Sequence, residues 1–435
     1  MSSTPINTVF LGDAGHGKSA LIGRLLYDLR HVPEAIVEYL KSVAAQVGDA
    51  SYYLSFIVDT RLDERRRKHT IETSSWKPVS IGGRLIKLIN VPGVLTWINN
   101  TIAGASQADA AVVVVDAADA ATRGIASLKG LREHLILARA FDIRSLIAAI
   151  NKMDLIEFDS QRFQQVCEAL KQLLTELGFE AEQVPIIPVS ALYGDNVVQR
   201  SDRCPWYDGP TLAEALSSLP QPQRYTDAPF RLPIHRYFEK GNVMAGVVAS
   251  GRLTVGDEVV VAPSGGRGSV RSIEAWGKRL DSAGAGEDIG VQVRGIARYQ
   301  IKRGYVLSHP DNPPPVAETL VARVCILNPP GLWKGFCPLL YTHQAYTTCR
   351  VEAVLNRIDP HTGQVVEENP SQLSPRETGD VVLKPLTPPQ KGLVIEASDQ
   401  NPPLSRLALR TSIGSGGETV TLAAGYCLKV TPLST

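Results

Sequence analysis

Apolar residues in the first half of the chain fall in short runs separated by longer amphipathic stretches. The runs at 8–11, 85–89, 111–116, 145–150 and 184–189 predict buried strands. The stretches at 18–28, 34–46, 125–140, 158–177 and 211–216 carry apolar residues at helical spacing and predict helices. Strands separated by helices of this length imply a doubly wound, mostly parallel sheet. The texture changes after Leu219-Pro220-Gln221-Pro222, where short alternating strands with Gly and Pro punctuation follow at 242–250, 257–262, 290–293 and 305–307. A second Pro-rich break, Asp311-Asn312-Pro313-Pro314-Pro315, precedes another β-rich segment at 320–430. The expected fold is an α/β domain (1–222) followed by two β-barrel domains (228–312 and 315–435).

Composition narrows the classes without choosing among them. A chain of 435 residues is too long for one hydrophobic core, and its 44% hydrophobic and 20% charged content is that of a globular protein. A net charge of +1 gives no overall field that would favour nucleic acid or an acidic membrane. The six cysteines form no CxxC or Cys/His cluster, so they predict buried thiols in a reducing compartment, not a zinc site or disulfide scaffold. Residues 1–7 lack the charged and apolar regions of a secretory signal, and the apolar run at 110–115 is too short to cross a bilayer; a cytoplasmic location is expected.

The chemistry concentrates where strands end. Gly12-Asp13-Ala14-Gly15-His16-Gly17-Lys18-Ser19 fits the phosphate-binding pattern G-x-x-x-x-G-K-[ST] and lies between a predicted strand and a predicted helix. Glycines let backbone N–H groups converge on phosphate oxygens, and the helix start through Ala20 adds positive potential. Lys18 would bridge the β- and γ-phosphates, and the Ser19 hydroxyl would hold Mg²⁺. The side chains of Asp13 and His16 are expected to point outward. Asn151-Lys152-Met153-Asp154 follows another strand. The Asp154 carboxylate can accept from both the ring N1–H and the exocyclic amine of guanine, whereas adenine would leave it unpaired. Asn151 and the aliphatic part of Lys152 would brace the ring, and Ser190-Ala191-Leu192 would offer backbone N–H to the guanine carbonyl oxygen. The motifs imply GTP or GDP with Mg²⁺ as ligands of a P-loop G domain.

With those motifs the chain resembles the translation-factor GTPases over nearly its whole length. Leu21-Ile22-Gly23-Arg24-Leu25-Leu26-Tyr27-Asp28, Gly194-Asp195-Asn196-Val197-Val198 and the stretch 204–212 look like the GTPase subunit of bacterial sulfate adenylyltransferase. The segments 326–331 and 358–363 are closer to the archaeal and eukaryotic tRNA-carrying elongation factor, the elongation factor 1-alpha branch. The sequence departs from the family at both switches. Where the family has Arg-Gly-Ile-Thr-Ile, this chain has Arg67-Lys68-His69-Thr70-Ile71. Thr70, which the resemblance places on Mg²⁺ and the γ-phosphate, is kept. Where the family has Asp-x-Pro-Gly-His, this chain has Asn90-Val91-Pro92-Gly93-Val94. Asn90 would reach Mg²⁺ through water with less charge, Gly93 is retained near the γ-phosphate, and Val94 cannot orient a water. Hydrolysis is therefore expected to be weakened. His69 is a candidate to approach the γ-phosphate from the other side. The run 65–68 is read as a solvated basic face, with contact to RNA or an acidic partner as the alternative, and the other histidines, His31, His134, His235, His309, His343 and His361, as structural.

Three functions follow from the resemblance. The first is a sulfate-assimilation subunit acting with a separate adenylyltransferase catalytic subunit, which would carry the adenylyl transfer. The second is an elongation-factor-like carrier of aminoacyl-tRNA or other RNA. The third is a GTP-loaded scaffold without useful turnover.

Overall fold

The computed structural model describes residues 4–360, 362–386, 392–413 and 418–433. Residues 1–3 of the stretch read for a secretory signal, and His361, lie outside the described residues. The chain separates into two compact units, one formed by 1–139 with 143–222, the other by 223–435 with 140–142.

The first unit is built on a seven-stranded sheet: β1 (Ile6–Leu11), β2 (Ser74–Ser75), β3 (Val79–Ile81), β4 (Arg84–Asn90), β5 (Ala110–Asp116), β6 (Ser145–Asn151) and β7 (Ile186–Pro188). The order is β2-β4-β1-β5-β6-β7, with β3 also on β4. Strands β4, β1, β5, β6 and β7 run parallel, and β2 and β3 are antiparallel additions at the β4 side. Every position of β1 and β5 is buried, as a parallel sheet covered on both faces requires.

The helices are α1 (Lys18–Asp28), α2 (Glu34–Gln46), α3 (Leu62–Arg67), α4 (Ile98–Ala105), α5 (Ala117–Arg123), α6 (Lys129–Ala140), α7 (Ser160–Glu176) and α8 (Leu212–Ser217). The predicted helix at 125–140 begins as a single 3-10 turn, Ile125–Ser127; Leu128, at φ −82° and ψ 76°, leaves the helical region before α6 starts. Helix α8 starts on a reciprocal cap in which Glu214 N–H donates to the Thr211 hydroxyl and Thr211 N–H to the Glu214 carboxylate. Parallel pairing aligns the C-terminal ends of the strands: Phe10 faces Asn90, and Asp116 faces Asn151. The loops that follow therefore share one edge of the sheet, where ligands of open α/β folds bind.

The second unit contains two antiparallel β domains. In the first, Arg231–Pro233, Val306–Ser308, Glu258–Ala262, Gly266–Ala275, Asp288–Arg294, Val243–Val247 and Arg236–Phe238 pair in that order, and a bridge from Arg231 to Ser250 curls the sheet back on itself. In the second, Leu339–Thr342 pairs with both Arg406–Ile413 and Ala345–Ile358, which closes a six-stranded barrel through Glu418–Pro432, Val316–Ile326 and Thr378–Pro385.

The two are joined by a buried ion pair. Arg231 and Glu396, 2% and 4% exposed, make a two-pronged contact at 3.0 and 2.7 Å. Asn312 accepts from the same guanidinium at 2.9 and 2.8 Å, and Asn401 donates to Glu396 at 2.9 Å. Of the cysteines, Cys204, Cys349 and Cys427 are buried, but Cys337 is exposed, against the expectation of uniformly buried thiols. Among the described residues no helix is long and apolar enough to cross a membrane.

Candidate nucleotide site

Close packing dictates the glycines around the loop between β1 and α1. A Cβ on Gly12, whose φ is 137°, would lie 2.2 Å from the Val114 carbonyl oxygen, and only glycine fits. A Cβ on Gly93 would lie 2.4 Å from Lys18 Nζ and 2.6 Å from Ala14 N, so the segment after Pro92 rests directly on the loop. From α6, His134 Nδ1 accepts the Gly12 N–H at 2.9 Å, which fixes the strand end; its structural reading is consistent with that role. Lys18 Nζ donates to the Gly12 and Asp13 carbonyls, both at 2.9 Å. Burial brings its pKa down to about 8, opposed by the Asp13 and Asp59 carboxylates.

His16 does not point outward. It is 3% exposed, with Nδ1 3.4 Å from the Val114 carbonyl and Nε2 3.4 Å from Asp119, and burial lowers its pKa. The apolar end of β5 draws the ring inward. The Asp13 carboxylate lies against Gly130 at the start of α6, where a Cβ would come within 1.8 Å of it.

A cavity of ≈ 370 Å³ runs from this loop to the ends of β6 and β7. Ala14, Gly15, Gly17, Lys18, Ser19, Ala20 and Gly93 line the end at the β1–α1 loop with His69, Thr70 and Val94; Asn151, Lys152, Asp154, Ala191 and Leu192 line the other. The motifs read separately along the chain thus face one space.

At the β1–α1 loop end four side chains converge. Ser19 Oγ lies 2.9 Å from Thr70 Oγ1, Thr70 Oγ1 donates to Asp59 Oδ1 at 2.9 Å, and Asn90 Nδ2 donates to Asp59 Oδ1 at 3.0 Å and to Ser19 Oγ at 3.1 Å. Asp59 is 6% exposed, and burial raises its pKa to about 6 against the hydrogen bonds from Thr70 and Ser19. Two hydroxyls beside a buried carboxylate make an oxygen-rich set that suits a hard divalent cation. Sequence reasoning missed Asp59; the available signal was an acidic residue closing the apolar run Phe56-Ile57-Val58.

The segment around Thr70 is held by Glu64, 4% exposed, which accepts from Ile71 N–H at 2.9 Å and Glu72 N–H at 3.1 Å. The basic run is not one solvated face. Arg65 turns inward and donates to the Asp59 and Phe56 carbonyls at 2.9 Å, while Arg66 and Arg67 are exposed. Lys68, standing where the family has glycine, adopts the left-handed conformation at φ 56° and places its ammonium 5.1 Å from the centre of the Tyr52 ring. His69 lies exposed on the cavity rim.

At the far end Asn151 ties the two halves together: its Nδ2 donates to the His16 carbonyl and its Oδ1 accepts the Ala191 N–H, both at 2.9 Å. Ser190 Oγ donates to Asp154 Oδ1 at 2.6 Å and aims the carboxylate, so Ser190 serves the cavity without lining it. Lys152, left-handed at φ 60°, is held by Asp116 at 2.6 Å. Among the described residues no three His, Cys, Asp or Glu side chains form a further metal-binding group.

Comparison with known proteins shows the family and the fold. Residues 3–222 match the family described as elongation factor Tu GTP binding domain, 241–308 match elongation factor Tu domain 2, and 319–428 match a GTP-eEF1A C-terminal domain-like family. Elongation factor 1-alpha of Archaeoglobus fulgidus is 40% identical over 98% of this chain and 98% of its own length. That of Methanocaldococcus jannaschii is 39% identical over 98% and 97%. Among solved structures, the GTP-bound Ski7 GTPase-like domain of S. cerevisiae has a TM-score of 0.77 at 17% identity, over 98% of this chain and 97% of that one. Elongation factor SelB of Methanococcus maripaludis with a GTP analogue gives 0.71 at 20%, over 100% and 81%; both show the shared fold. The curated relatives favour the elongation factor 1-alpha branch over the sulfate adenylyltransferase branch that the motifs in 21–28 and 194–212 pointed to. The chain belongs to the translation elongation factor family of GTPases.

Proposed function

We propose that the protein binds GTP and GDP as an elongation factor 1-alpha-like switch, with aminoacyl-tRNA or another RNA as the partner of its β domains and with weakened hydrolysis. The observation that carries this reading is the single cavity with Lys18, Ser19 and Thr70 at one end and Asn151, Asp154 and the Ser190–Leu192 loop at the other. Asp154, aimed by Ser190, accepts the two guanine donors. The loop N–H groups and Lys18 take the phosphates. Ser19 and Thr70 would hold Mg²⁺, with Asn90 and Asp59 reaching it through water, and the ion would neutralise phosphate charge. Because Asn90 is neutral, Asp59 supplies the carboxylate charge of this set.

The Val94 side chain has no polar atom to orient an attacking water, and the loss of one such group lowers turnover by roughly a hundred- to thousandfold. That substitution also favours a second reading, a GTP-loaded scaffold. His69, on the rim, is the candidate to substitute for the missing side chain.

The test is binding of GTP, GDP and ATP to one preparation, followed by single-turnover hydrolysis and by capture of charged tRNA in the GTP and GDP states. Guanine preference, slow turnover and GTP-dependent capture are expected. Equal affinity for ATP overturns the nucleotide reading, and hydrolysis at the rate of an intact family member overturns the claim of weakened turnover.

A further inference from the structure

Guanine recognition requires the Ser190–Leu192 backbone to present an N–H to the ring oxygen; Ser190 is engaged with Asp154 and the Tyr193 N–H, and Asn151 holds the Ala191 N–H. The Ala191 and Leu192 carbonyls are held from helix α1. Arg24, 8% exposed, donates from Nε to the Ala191 carbonyl at 2.9 Å and from a terminal nitrogen to the Leu192 carbonyl. Its fork is itself oriented by Asp28, which accepts at 3.1 Å, and by the Tyr53 hydroxyl at 3.1 Å. Only a planar, multidentate donor serves this many acceptors at once.

The consequence follows from peptide planarity. In a trans peptide the C=O and the following N–H point in opposite directions. With the Ala191 carbonyl drawn toward α1, the Leu192 N–H is turned to the other side of the loop, toward the cavity that Ala191 and Leu192 line. The Ala191 N–H is already taken by Asn151, whereas the Leu192 N–H has no protein partner among the described residues. We infer that Arg24 is a positioning residue for base recognition: it sets the peptide plane whose N–H meets the 6-oxygen of guanine. This rests on the guanine reading above and adds to it a specificity determinant outside the motifs.

The test uses two diphosphates, GDP and the 2-aminopurine riboside analogue, which keeps the 2-amino group but lacks both the 6-oxygen and the N1–H; it binds more weakly to every variant, so the comparison is of the fold-change that each substitution causes for each nucleotide. Arg24→Gln is expected to weaken GDP about tenfold, the value of one well-placed hydrogen bond, and to leave the 2-aminopurine nucleotide unchanged. Arg24→Lys, able to serve one carbonyl, falls between for GDP. Matched thermal unfolding of wild type and variants, without nucleotide, shows that the fold is kept. Equal losses for the two nucleotides, or none for either, overturn the inference. Wild-type protein that does not distinguish GDP from ATP removes the guanine reading, and this inference with it.

Discussion

Asp59 sits at 6% exposure with a pKa raised from 3.8 to about 6, chiefly by burial. Carrying its charge at pH 7.5 therefore costs the folded protein on the order of 3 kcal/mol, about 1.4 kcal/mol for each pKa unit. Such a group is retained for what it does, and here it is the only carboxylate hydrogen-bonded to Ser19, Thr70 or Asn90 among the described residues. Asp59→Asn is expected to raise the melting temperature of the protein in EDTA while reducing the enhancement of GDP binding by Mg²⁺ about tenfold. Thermal unfolding and GDP titration with and without Mg²⁺ check both halves; an unchanged Mg²⁺ effect would sink the assignment. Asn90→Asp, by contrast, sets a second carboxylate 3 Å-scale close to Asp59, where like charges repel.

Elements carry their own titrations. His343 lies in the tight turn between Leu339–Thr342 and Ala345–Ile358, with Nε2 2.9 Å from the Val394 carbonyl, and burial brings its pKa down from 6.5 to about 4. The folded state keeps this ring neutral while the unfolded chain protonates near pH 6.5. Stability is therefore fully present above that pH and falls by about 1.4 kcal/mol per unit as pH drops toward 4. Urea unfolding at pH 7, 6 and 5 should show this loss as the difference in slope between wild type and His343→Gln, because Asp59 contributes the opposite slope below about pH 6; parallel slopes would refute the assignment.

Elements also show what a linear reading can reach. The loop Gly12–Ser19 and the Asn151–Asp154 turn were legible because each is one contiguous segment with a strand before it. Helices α1 and α2 followed from spacing alone. Arg24, Asp59 and Glu64 were not legible, since their partners at Ala191, Thr70 and Ile71 are brought to them only by the fold. The short helix α4 escaped notice because Asn99-Asn100-Thr101 interrupts its apolar face, and α5 because Ala-rich sequence gives no periodic signal.

At the scale of the whole molecule, the clasp between Arg231 and Glu396 joins the two β domains into one unit. Removing one member of a buried pair strands the other, at a cost of about 3–5 kcal/mol. Arg231→Met is expected to split one denaturant transition of these domains into two, and the double variant Arg231→Met/Glu396→Leu to recover most of the loss. A single transition with an unchanged midpoint would show that the pair contributes nothing. The same clasp limits how the molecule can be taken apart. Severing the chain at Pro313–Pro315 would expose a naked guanidinium on one fragment and a naked carboxylate on the other, each formerly sheltered from water. A hybrid that borrows one β domain from a relative must import its neighbour too, or match that salt link by design.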